Sequence, residues 1–148
     1  LLGSHNAHDR RAQPLLRLRG LADDAVELEM YEDHITCISY RPGFLFRKPV
    51  RRSVRYADIR RLIVRPGPHY GTFALDTADG QAMSINLVAV DTVAQAGLLV
   101  SERIYRTHVA ELDLAAHDHP ALIQALTELH DRGLLTDDYF QAKQRELN

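Results

Sequence analysis

Cationic side chains crowd one stretch of this sequence. Between Arg41 and Arg65 stand Arg41, Arg47, Lys48, Arg51, Arg52, Arg55, Arg60, Arg61 and Arg65, against a single acid, Asp58. Nine cations less one carboxylate leave +8 there, so the rest of a chain whose total is −2 carries −10. From Thr107 onward, eight acids face three bases. The molecule is therefore charge-polarised, with a basic middle and an acidic tail. Guanidinium groups at this density can contact anions: phospholipid headgroups, nucleic-acid phosphates or an acidic partner. Arg47, Lys48, Arg51, Arg52 and Arg55 are the candidate anion-binding residues. In an alternating strand Arg51, Ser53 and Arg55 share one face while Arg52, Val54 and Tyr56 share the other, so a one-sided ladder is only partly supported. The competing reading is that these arginines pair with the chain's own carboxylates, the acidic tail included. Nucleic acid is disfavoured, because only Phe44, Phe46 and Tyr56 lie nearby to stack on bases. Phe44-Leu45-Phe46 followed by Arg47-Lys48 has the composition of a tip that enters a bilayer interface. It equally suits a loop folded back onto the protein.

Four histidines, His108, His117, His119 and His130, invite a metal reading together with Asp113 and Asp118. Zinc needs three or four converging ligands, and His117-Asp118-His119 supplies two at most. With no His-Glu-x-x-His and no second compact pair, no metal or other cofactor is expected. The single cysteine, Cys37, excludes an intrachain disulfide and sits in an alternating apolar run, as a structural residue would. No Gly-x-Ser-x-Gly elbow or phosphate loop is present, and Gly67-Pro68-His69-Tyr70-Gly71 reads as a turn rather than a phosphate cradle. No catalytic residue is assigned, and the chain is expected not to be an enzyme.

The elements that would position these residues follow from length and periodicity. A chain of 148 residues, 45% apolar and 26% charged, is large enough for a real core. No apolar run reaches the ~20 residues of a membrane-spanning helix, and lone Cys37 fits a reducing compartment. A cytoplasmic protein, peripheral to a membrane at most, is expected. Residues 1–14, with Gly3-Ser4-His5 of the kind expression tags leave, are expected to be a disordered or tag-derived terminus.

Val26, Leu28 and Met30 alternate with Glu27 and Glu29, and Glu32-Asp33 turns the chain into His34–Tyr40. Pro49 interrupts the stretch from Phe44 to Val50, which reads as a loop or short strand. Ser53–Tyr56 is extended, Ile59–Val64 comes next, and Pro66-Gly67-Pro68 stops the run. Thr72–Thr77 and Gln81–Leu87 pair around Ala78-Asp79-Gly80, with Met83, Ile85 and Leu87 expected inward. The period then becomes helical. Asp91 or Thr92 is expected to cap a helix to about Leu114, whose stripe is Val93, Ala96, Gly97, Val100 and Ile104. Six or seven antiparallel strands followed by one long amphipathic helix predict a mainly β (α+β) fold, a barrel or sandwich capped by a helix.

The last residues read as a helical hairpin. Pro120 opens the first helix, and Leu122, Leu126 and Leu129 lie along one face. Gly133 stands where a left-handed C-cap is wanted. Thr136 supplies an N-cap oxygen, and Asp137 and Asp138 complement the second helix dipole. Phe140 and Leu147 stand seven apart on that helix. Helices this short are marginal alone, so the hairpin must dock on something. Leu126, Leu129, Leu135, Phe140 and Leu147 are its candidate apolar anchors, with Gly133 and Thr136 setting the bend.

These residues resemble the bacterial short C-terminal domain (SHOCT) family, a Leu-rich helix followed by Gly, two aliphatics, Thr, acids, Phe, Ala, Lys and Leu. The match is at Gly133, Leu134, Leu135, Thr136, Asp137, Asp138, Phe140, Ala142, Lys143 and Leu147. The sequence departs at Tyr139, usually acidic in the family, and at Gln144, often Lys. The resemblance implies a helical appendage for oligomerisation or partner contact and brings no reaction. Upstream, Ser53-Val-Arg-Tyr56-Ala-Asp58-Ile59-Arg-Arg-Leu62 and Gly71-Thr-Phe73-Ala-Leu75 resemble the small bacterial pleckstrin-homology-like domains, which frequently precede such a tail. The expected organisation is a terminus at 1–14, a pleckstrin-homology-like domain at 15–116 and the hairpin at 120–148. The expected function is non-enzymatic binding and assembly through the hairpin, as a homo-oligomer or with a protein partner. The alternative is a peripheral anion binder working through the basic segment.

Overall fold

The structure, a computed structural model, describes residues 13–21, 26–41 and 48–148, excluding the side chains of Arg41 and Lys48. Most of the terminus at 1–14 and the Phe44–Arg47 tip therefore lie outside the described residues. Seven strands come first: β1 (Leu16–Arg19), β2 (Val26–Met30), β3 (His34–Arg41), β4 (Lys48–Arg55), β5 (Ile59–Arg65), β6 (Tyr70–Thr77) and β7 (Ala82–Ala89). Three helices complete the chain: α1 (Val90–Glu111), α2 (His119–Asp131) and α3 (Asp137–Leu147).

The strands form two antiparallel sheets, β1-β2-β3-β4 and β5-β6-β7, joined by a 3₁₀ turn at Tyr56–Asp58. Alternation makes each sheet two-faced. Leu18, Leu28, Met30, Ile35 and Val54 of the first sheet share a core with Phe73, Leu75, Met83, Ile85 and Val88 of the second. Val93, Ala96, Val100 and Ile104 of α1 complete it. The arrangement is a mixed, two-sheet α and β fold. Among the described residues the two sheets share no strand ladder, so the sandwich half of the barrel-or-sandwich expectation describes it. Beyond β1 and β7 the sheets touch through Leu21 N–H, which donates to Leu87 C=O at 3.1 Å.

Two local expectations are corrected. Leu87 points outward, 47% exposed, and Val88 takes the inward place. Across β6, Gly71 faces Val88 while Phe73 faces Ile85, so β7 carries one extra residue there. Leu87 absorbs it at φ 54°, and the bulge reverses the inward–outward parity of the strand beyond it. At the start of α1, neither Asp91 nor Thr92 caps. The cap position is Ala89, without a side-chain bond, and Val90 N–H finds His69 C=O at 3.0 Å. A tertiary carbonyl satisfies the donor that a capping side chain would otherwise take.

Candidate functional site

The C-terminal hairpin is built as its residues suggested. Asp118 caps α2 by accepting from Ala121 N–H at 3.3 Å, and Pro120 lies in the first turn, where its missing N–H leaves nothing unpaired. At the other end Gly133 stands at φ 76°, its N–H donating to His130 C=O and Leu134 N–H to Leu129 C=O, both at 3.0 Å. That pair of bonds is a Schellman closure. Thr136 then starts α3, its hydroxyl accepting from Tyr139 N–H at 3.3 Å.

Leu126, Leu129, Leu135 and Leu147 are buried, and all four belong to the same apolar cluster as Val100, Ile104 and Tyr105 of α1. Phe140 is half-buried and stacks on His130, ring centroids 4.0 Å apart and planes 9° from parallel. Five anchors are thus brought to one hairpin, four of them facing the chain's own body and Phe140 left at the side.

Polar contacts fix where the hairpin sits. Leu62 N–H of β5 donates to Gly133 C=O at 2.9 Å, and Thr136 N–H donates to the Ser101 hydroxyl on α1 at 3.0 Å. Ser101 is fully buried, so this bond satisfies an oxygen that has no access to water. Gly97 makes the close approach possible: a Cβ there would come within 3.0 Å of the Thr136 methyl and 3.3 Å of Val64. Tyr139 donates its hydroxyl to Glu102 at 2.7 Å, and Arg106 donates to the other oxygen of that carboxylate at 2.9 Å. Lys143 Nζ lies 5.3 Å from the centre of the Tyr105 ring, a cation over an aromatic face.

Burial raises the Glu102 carboxyl, but the Tyr139 and Arg106 hydrogen bonds outweigh it and the net position is below the ordinary range. Burial and the bond to Glu102 push the Tyr139 hydroxyl well above the ordinary tyrosine value. Sequence reasoning missed Tyr139, Glu102, Ser101 and Gly97 as docking residues. An acid at position 139 would face the Glu102 carboxylate, so the tyrosine hydroxyl is what this contact requires.

The basic segment does not converge. β4 and β5 are each an edge strand of their sheet, and alternation sends their arginines to opposite faces. Arg51 lies 3.8 Å from Glu29, which Arg17 also binds at 3.0 Å. Arg55 pairs with Asp58 at 3.1 Å. Arg52 turns the other way and bridges the sheets, donating to the Gln81 side chain and, at 2.9 Å, to Ala82 C=O. Arg47 lies outside the described residues, and of Lys48 only the strand placement is described. On β4 the charged edge and Pro49 together resist pairing with another strand.

Among the described residues two acids of the hairpin find basic partners within it, Asp137 with His130 at 2.7 Å and Glu146 with Lys143 at 3.2 Å. His117 and His119 are exposed, and among the described residues no three metal-ligating side chains converge. Cys37 is half-buried, and burial raises its thiol, the opposite of an activated nucleophile. No described helix is long and apolar enough to cross a membrane.

No protein-family model matches the chain, and no curated protein matches it. Among solved structures it is loosely similar to the pleckstrin homology (PH) domain of USP37, at 15% identity and a TM-score of 0.45, over 62% of this chain and 98% of that one. None of these comparisons supports the resemblance of the tail to the short C-terminal domain family.

Proposed function

We propose that this chain is a non-enzymatic binding and assembly protein, a pleckstrin-homology-like body at 15–116 carrying an assembly hairpin at 120–148. The observation that supports this reading most is the specificity of the hairpin's seat. Buried Ser101, side-chain-free Gly97 and the Leu62 edge amide form a receptor for the Gly133–Thr136 turn. A seat of this kind recognises the turn whether it comes from the same chain or from another copy. The seven-residue connector 112–118 is exposed over nearly all its length, so exchange of the hairpin between copies breaks few other contacts. The family resemblance of the tail points the same way.

The test is native mass by light scattering over a dilution series. Wild-type chain is expected to show a multimer that dissociates on dilution, and Phe140→Ala to dissociate at higher concentration. A variant whose mass tracks wild type at every dilution removes Phe140 from assembly. A wild type that is monomeric throughout removes self-assembly and leaves docking of a different partner.

The second reading is peripheral anion binding through Arg47, Lys48, Arg51, Arg52 and Arg55, which includes acidic partners and anionic membrane surfaces. What favours it is the exposure of Arg51 and Arg55 on one face of β4, with Arg60, Arg61 and Arg65 exposed on the next strand. None of those last three has an ion pair among the described residues.

A further inference from the structure

Strand β5 is an edge that its own sheet leaves open. Its inner side pairs with β6, Leu62 facing Leu75 and Val64 facing Phe73. On its outer side Leu62 N–H points away from β6 and is taken by Gly133 C=O. Backbone groups alternate along a strand, so Val64 N–H and C=O point to that same outer side. Among the described residues no backbone group or side chain pairs with them. The hairpin turn thus fills the first rung of this edge and stops.

Beyond the turn lies a groove of about 400 Å³ between β5 and α1. Val64 and Pro66 form one wall, Ala94 and Leu98 the other, and the first turn of α3 closes the end. Leu98 stands 44% exposed here, although an apolar side chain on α1 would be expected to pack. Unpaired edge groups beside an exposed apolar wall are what an added strand requires: main-chain bonds for affinity and pockets for alternate side chains.

We propose that this groove takes an extended segment of a partner protein as an extra strand on β5, with apolar side chains toward α1 and an acidic one beside Arg65. Charge selects the occupant. The outward positions of β5 at this level are Ile63 and Arg65, and Arg65 is exposed with no carboxylate paired to it among the described residues. Opposite charges set across neighbouring strands stabilise the pair, whereas like charges oppose it. The hairpin is part of the site, because its turn supplies the first rung and α3 the end wall. A second copy's hairpin in the same seat would complete it equally, so the inference stands whether or not hairpins exchange.

The test uses the full chain, labelled with ¹⁵N, and two blocked pentapeptides, one alternating valine with glutamate and one alternating valine with lysine. The glutamate peptide is expected to give saturable shifts at millimolar concentration, centred on the amides of Val64 and Leu98, and the lysine peptide at least tenfold weaker ones. Val64→Pro removes the outward N–H, at a position where an edge strand tolerates proline, and keeps an apolar side chain in the groove wall. It is expected to weaken binding at least tenfold while keeping a dispersed spectrum. Leu98→Glu, on the exposed side of α1, is the second variant and is expected to abolish binding. No saturable shift with either peptide overturns the proposal. So do equal binding of the two peptides, binding that both variants retain, or shifts confined to β4, which would point to a plain anion surface.

Discussion

Tyr139 and Glu102 show how one hydroxyl can hold an element in place. The bond between them joins α3 to α1, and its acceptor is a carboxylate held below its ordinary range. Hydrogen bonds to charged groups contribute about 1.5–3 kcal/mol when buried, and partial exposure of Glu102 brings this to about 1–2 kcal/mol. Tyr139→Phe is expected to lower the melting temperature by about 3–8 °C near neutral pH. The directions of the two shifts set the pH dependence. Glu102 is depressed in the folded state, so its contribution is present above the ordinary carboxylate pKa and is lost as pH falls through the folded value. Tyr139 is raised, so its contribution is complete below the ordinary tyrosine pKa of about 10 and is lost as pH rises beyond it. The gap in stability between wild type and Tyr139→Phe should therefore form a plateau between those limits and narrow on both sides. Thermal melts from about pH 2.5 to about pH 11 measure it, and a gap constant throughout would deny the bond its role.

Elements carry the next set of consequences. Strand β7 reads in sequence as a plain alternation, but its bulge places Leu87 in the left-handed region. An L-residue held there costs roughly 1 kcal/mol, and the exposed Leu87 side chain recovers little by burial. Leu87→Gly is expected to leave stability unchanged or raise it by up to about 1 kcal/mol, a result that chemical denaturation would register. A loss of several kcal/mol would mean that Leu87 packs inward, as simple alternation predicted. The helices were more legible than this strand. Pro120, Gly133 and Thr136 act through backbone rules confined to one turn, and each occupies the role its type and spacing suggested, whereas Asp118, read from sequence only as a candidate metal ligand, caps α2. The N-terminus of α1 was not legible, because its partner is the carbonyl of His69, a residue whose position depends on how β6 leaves the preceding turn.

For the molecule as a whole, the charge polarity has a structural setting: the basic stretch Arg41–Arg65 includes one edge strand of each sheet, β4 and β5. If the second functional reading holds, the chain should bind phosphatidylserine vesicles and lose that binding steeply as salt rises, the screening length being about 10 Å at 0.1 M. Equal binding to neutral phosphatidylcholine vesicles would contradict it. By itself the sequence determined the antiparallel strands, the long amphipathic helix and the capped, Leu-striped hairpin with its need to dock. Those come from periodicity and capping, which are local and survive without knowledge of distant partners. Tertiary structure alone decided what the hairpin docks against: Gly97 and Ser101 on α1 and the Leu62 amide on β5. It likewise decided which partners the arginines find: Glu29, Asp58 and Gln81. Contacts between residues 35 and more positions apart leave no period in a sequence, because complementarity of shape and hydrogen bonding is a property of two surfaces brought together.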